Sequence, residues 1–239
     1  MFGVPRRGLI LAIETSNPSA WTPERRSRPG VALGVLGAGG NVELAGVEPI
    51  RLDDPHYDDL AGAVARLFER CGAAPGELAR VAVSVGPGGY TAVRVAVMTA
   101  KMIALATGAE CVPVESARVA ADRVARGRRC AVCLASKGAD CYAMVFGQDG
   151  SAGPGRIVDV ATMEWDGLEV LVADRFLPGP IAAGAAERGI AIEAPELDPA
   201  ACLELGAGLP AVPADAILPI YPRIPEAVRK WRDLGNGVS

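Results

Sequence analysis

The segment Val85-Gly86-Pro87-Gly88-Gly89-Tyr90-Thr91 is the place in this chain where residue type and spacing could do chemistry. Gly86, Gly88 and Gly89 permit backbone angles that other residues avoid, and they leave no side chain to block a close neighbour. Free backbone N–H groups at the start of the helix opening at Thr91 could hold an anion. The same pattern also serves as a tight turn that sets a helix on a sheet, and the residues alone leave both readings open. A Walker A loop is excluded, because its Gly-Lys-Ser/Thr ending is absent. Cys130 and Cys133 form a C-x-x-C, the spacing of a redox or metal pair. No second such pair accompanies it, and His56, the single histidine, is distant. We read it as part of a strand, whose positions three apart face opposite sides. The other cysteines, Cys71, Cys111, Cys141 and Cys202, lie mostly in apolar runs and read as small hydrophobes. One histidine cannot supply the two that a zinc peptidase usually needs, and nothing places a nucleophile beside it.

The elements that must position these residues are legible in part. Gly8 to Glu14, Gly30 to Leu36 and Val42 to Val47 read as strands, the last two joined by a hairpin at Gly37 to Asn41. Three early antiparallel strands should open a mixed sheet. Between the first two, Asn17 to Pro29 reads as an exposed insertion. Arg25, Arg26 and Arg28 make it basic, which suits either a solvated face or a contact to RNA or a partner. Asp54-Pro55 should cap and start a helix carrying a stripe of Leu60, Val64, Leu67 and Cys71, with Gly62 and Ala65 leaving a shallow opposite face. Arg80 to Ser84 reads as a strand, followed by a helix over Thr91 to Thr107. Of the fifteen residues from Ala92 to Ala106, twelve are apolar. A helix greasy nearly all round is either central to its own domain or packed on its sheet on one side and on a partner on the other. Arg94 and Lys101, seven apart, mark one edge. A second region follows, with a helix at 116–126, strands at 130–136 and 141–146, short elements beyond Gly147, and a terminal helix over 222–234. We see no internal repeat in the sequence.

The chain has 239 residues, half apolar and 22% charged, which is enough for one large domain or two small lobes with a real core in either case. Its net charge of −4 argues against an independent grip on RNA. Glu14 interrupts the first apolar run before it reaches the length of a signal-peptide core, and Arg94 and Lys101 interrupt the longest. A cytoplasmic protein with no membrane partner is therefore expected.

Several segments, taken together, resemble one family. ILAIETS near the start, AVSVGPGGYTAVRVAVMTAKMIALATG in the middle, CAVCLASKGADCYAMVF in the second region and PIYPRIPEAVRK near the end are similar, in order, to the TsaB (YeaZ) family. The middle segment is the specific one, with Gly89, Tyr90 and Ala92 standing where Ser, Phe and Gly are usual. The resemblance implies a two-lobed α/β fold of the actin/Hsp70-like (ASKHA) type, with lobes at 1–113 and 114–210 and a C-terminal segment at 211–239 packing back on the first. It implies a non-catalytic subunit of the machinery that makes N6-threonylcarbamoyladenosine on tRNA. The implied partners are a TsaD-like transferase and a TsaE-like ATPase, with a homodimer when alone and only indirect contact with tRNA. The family pairs through two helices, mapping here to His56–Cys71 and Thr91–Thr107. The partner face is accordingly expected at His56, Gly62, Ala65, Val93, Val97, Ala100, Lys101 and Ala104, with Arg94 at its rim. By the same analogy Glu14, Thr15, Gly86, Gly88, Gly89 and Thr91 form a nucleotide or anion loop. No resident cofactor is expected, and ATP or ADP with Mg would bind only at a complex interface. A weak ATPase is the alternative and a peptidase a remote one.

Overall fold

The computed structural model describes residues 8–52, 59–223 and 231. Its first sheet contains β1 (Leu9–Glu14), β2 (Gly30–Leu36), β3 (Val42–Pro49), β4 (Leu78–Ser84) and β5 (Glu110–Val114), in the order β3-β2-β1-β4-β5. The β3-β2-β1 pairs are antiparallel and the β1-β4-β5 pairs parallel, so the sheet is mixed, as the early hairpin suggests. Successive side chains on a strand point to opposite faces. Leu9, Leu11, Ile13, Leu33 and Val83 therefore face one side, where α1 (Leu60–Cys71) and α2 (Tyr90–Thr107) cover them. Ile10, Ala12, Ala32 and Ala82 face the other, where α5 (Pro199–Gly208) covers them.

The second sheet contains β6 (Cys130–Lys137), β7 (Asp140–Phe146), β8 (Arg156–Val158), β9 (Val170–Ala173) and β10 (Ala191–Glu193). Its order is β10-β9-β6-β7-β8. Read from the other edge, this is the first sheet again: three antiparallel strands, then two added in parallel. The repeat missing from the sequence is thus present in the topology. Hydrogen-bond pattern and crossover direction define it, and many side-chain sets satisfy both. Cys130 and Cys133 face opposite sides of β6, one toward α3 (Ser116–Val124) and the other toward α4 (Gly179–Glu187). The six cysteines are all free.

The final helix of each half crosses to the other half. α3 follows β5 but packs Ala117, Ala120 and Ala121 on the second sheet. α5 follows β10 but packs Ala201, Cys202 and Leu203 on the first. An α5 on the first sheet lies across the lobe boundary placed at 210; a run of small residues with no amphipathic stripe does not say which sheet it will meet. Gly206 makes the contact close, since a Cβ there would lie 2.4 Å from that of Ala82.

Residues 211–221 lie against the first lobe. Val212 N donates to Cys111 O, Ile220 N donates to Val85 O, and Ile217 is buried beside α2. Arg223 then reaches the β6–β7 hairpin, donating to the carbonyl of Ala135 and the carboxylate of Asp140. The segment 17–29 is a loop with one short 3-10 turn at Pro18–Ala20, but it is not simply an exposed insertion. Asn17 and Ala20 are buried. Asn17 donates to Asp174 (3.1 Å), Arg175 donates to Ser19 O (2.9 Å), and Ser27 N donates to Glu196 (3.2 Å), so the loop joins the two lobes. The helix start expected at Asp54-Pro55, with His56, and nearly all of the terminal helix expected beyond residue 223 lie outside the described residues.

Candidate functional site

The glycine segment folds as a turn. Gly89 N donates to Ser16 O (2.8 Å). Gly88 presses so close that a Cβ would sit 2.1 Å from that oxygen, so only glycine fits. The N–H groups read as an anion cradle thus partly face the chain's own carbonyl. Gly86 has a positive φ of 97° and its carbonyl accepts from Ser116 N, tying the turn to α3. Glu14 and Thr15 are buried and Thr91 is exposed, so the six residues of the expected loop do not converge on one open cleft. Glu14 Oε1 accepts from Ser16 N and Oγ (2.9 and 2.6 Å), while Oε2 is buried without a hydrogen-bond partner among the described residues. Burial raises its pKa above the ordinary carboxylate value. The Ser16 hydrogen bonds and the nearby Ser84 hydroxyl oppose the rise, and Asp198 adds to it. Ser84 Oγ and Ser116 Oγ, 2.8 Å apart, complete a buried polar seam between the lobes.

The second candidate surface is α2, where the structure corrects the expected partner residues. Val93, Val97, Ala100 and Ala104 are buried in the first lobe's own core, together with Ala96. They cannot meet a partner without unfolding that core. The outward strip is Tyr90, Arg94, Met98, Met102 and Leu105. Tyr90 and Met98 are each 54% exposed, Met102 61% and Leu105 71%. Their spacing of three and four is one helix face, and Arg94 lies within it rather than at the rim of the expected face. Arg94 donates to the Tyr90 hydroxyl (2.9 Å) and its guanidinium lies over the Tyr90 ring. Lys101 is half-buried, with Nζ 3.4 Å from Asp215 O. The C-terminal segment extends the strip, since Tyr221 packs on Tyr90 with centroids 5.0 Å apart and Leu218 is 68% exposed. By length and composition alone α2 would also pass as a membrane-crossing helix, but its inner face is occupied by β4 and β1.

On α1, Ala65 is exposed, whereas Gly62 lies beneath an ion pair. Arg66 donates to both oxygens of Asp59 (2.9 and 2.7 Å) and to Glu48 (2.8 Å), and its Nη1 lies 3.1 Å from a Cβ built at Gly62. That surface is roofed rather than shallow. Arg66 holds the Asp59 carboxyl down at about 2, with help from Arg51 N.

Residues 41–202, well over half of the chain, match the family described as TsaD, tRNA N6-adenosine threonylcarbamoyltransferase. The chain belongs to the TsaD family. Among curated proteins none matches it in sequence. Among solved structures, YeaZ from Pseudomonas aeruginosa is 21% identical with a TM-score of 0.63, over 90% of this chain and 99% of that one. A second structure, of an uncharacterized protein with similarity to peptidase YeaZ from Pseudomonas aeruginosa, is also 21% identical, with a TM-score of 0.65 over 90% and 100% of the two chains. Within the TsaD family, then, the chain has the two-lobed actin/Hsp70-like fold of the TsaB (YeaZ) type. Among the described residues no group of three His, Cys, Asp or Glu side chains could hold a metal ion.

Proposed function

We propose that this member of the TsaD family is a non-catalytic assembly subunit in the formation of N6-threonylcarbamoyladenosine on tRNA. It docks a larger TsaD-like transferase through the outer face of α2. Family membership supports the modification; the uncovered strip Tyr90–Met98–Met102–Leu105 supports the role. A monomer rarely exposes large apolar side chains in a row unless another surface covers them. In this reading a TsaE-like ATPase joins the pair in the cytoplasm, and the same strip closes a homodimer when the transferase is absent. No cofactor resides in the chain, and ATP or ADP with Mg binds only where the complex provides the rest of the site.

The decisive test is co-purification with the TsaD-like protein of the same organism. Met102→Glu and Leu105→Glu should fold with the parent's melting temperature and lose the partner. Partner binding by both at the parent's level would refute the docking face. Product formed on tRNA by the isolated chain from threonylcarbamoyl-AMP would refute the non-catalytic role. Calorimetric titration with Mg-ATP should show no micromolar binding without the partner, and finding it would favour the ATPase alternative.

A further inference from the structure

Trp21, in the loop that joins the lobes, stands beside a groove of about 520 Å³. Arg28, Pro49, Ile50, Arg51 and Arg66 line it with Trp21. The Arg28 guanidinium lies over the indole, 4.9 Å from the ring centroid. The groove's carboxylate, Glu48, is already engaged by Arg66 and Arg70. Arg28 and Arg51 have no ion-pair partner among the described residues, and both are exposed. Trp21 also borders a cavity of about 20 Å³, shared with Asn17, Arg25 and Ser27. Two buried donors of these residues, Trp21 Nε1 and Arg25 Nε, have no acceptor among the described residues. Buried donors are normally satisfied, and a space of this size admits a single water molecule.

We propose that this groove binds a short single-stranded segment of RNA, one base stacking on the Arg28–Trp21 pair and the phosphates meeting Arg51. Arginine planes and aromatic rings are the surfaces on which unpaired bases stack, and free guanidiniums follow the phosphates. An acidic peptide would use the cations but gain little from the stack, so the Trp21–Arg28 geometry favours RNA. The overall charge of −4 argues against an RNA grip spread over the whole surface, but not against a local one, because the groove's carboxylate is already paired. This inference does not rest on docking through α2.

Fluorescence anisotropy of the full chain with a fluorescein-labelled single-stranded oligoadenylate, at low salt, tests it. The parent should bind, and Arg28→Ala should weaken binding roughly 5- to 150-fold, the range for losing one stacked base. Arg28→Lys should weaken it nearly as much, because the plane is lost although the charge remains. Arg51→Ala should lower the salt slope by about 1. Met102→Glu should leave RNA binding unchanged, and Arg28→Ala should leave partner co-purification unchanged, so the two readings fail separately. Absence of binding by the parent, or equal binding by Arg28→Ala and Arg51→Ala, would overturn the site. Arg28→Lys binding as well as the parent would overturn the stacked geometry. Displacement of the RNA by polyglutamate at lower concentration than by unlabelled oligoadenylate would assign the groove to an acidic protein and overturn the proposal.

Discussion

Glu14 and Asp59 are both buried carboxylic acids, and their surroundings push them in opposite directions. Among the described residues no cation lies beside Glu14, so burial raises its pKa and the folded state holds the proton longer than the unfolded one. Its contribution to stability is complete below the unfolded value of 4.5 and is lost as pH rises through the folded value. Glu14→Gln should therefore gain stability relative to the parent as pH rises above the unfolded value of 4.5, read from urea denaturation. Parallel curves for the two proteins would mean that the buried proton is irrelevant to folding. Asp59 behaves conversely. With a folded pKa of about 2 against an ordinary 3.8, its contribution is present above about pH 4 and disappears as pH falls toward 2. Asp59→Ala should cost about 2 kcal/mol at neutral pH, and the cost should vanish in acid. Neither environment could be read from sequence. Glu14 sits at the end of an apolar run, but its closure by Ser16, Ser84 and Asp198 depends on residues up to 184 positions away.

The helix α2 was legible as an element and misread as a surface. Its apolar length and its two-sided character follow from composition alone, and its outer strip is exposed as that character requires. The phase differs because the expected face came from the family's pairing helices, and the small residues on that face are what lets α2 lie flat on β4. Arg94 held the correct signal. A charged residue marks the wet side of a helix, and steps of three and four from it reach Met98, Met102 and Leu105. Ala100→Trp should therefore unfold the first lobe by overpacking its core rather than selectively remove a partner, and thermal melting distinguishes the two. For α5 the sequence offered less. Its seating depends on Gly206 meeting Ala82, a contact between positions remote in sequence. Gly206→Val should destabilise by about 1–3 kcal/mol in urea, and a cost near zero would show that α5 can lift from the sheet.

At the scale of the whole molecule the chain makes the same five-stranded sheet twice and exchanges the helix that follows each. The mixed first sheet was legible because its hairpin is short and its strands are apolar. The second sheet was legible only at β6 and β7, because β8 and β10 are three residues long and β9 four, too short for a periodic pattern. The exchange of helices has a consequence for synthesis. When the ribosome has made residues 1–114, all five strands of the first sheet exist, but Ile10, Ala12, Ala32, Ala82 and Val112 have no cover until α5 emerges, after the entire second sheet. The first sheet is thus completed after the second, and its nascent form bares a sticky face while residues 115–208 are made. A released fragment ending at Val114 should precipitate or bind a chaperone, whereas the same fragment supplied with a peptide spanning 197–210 should stay in solution.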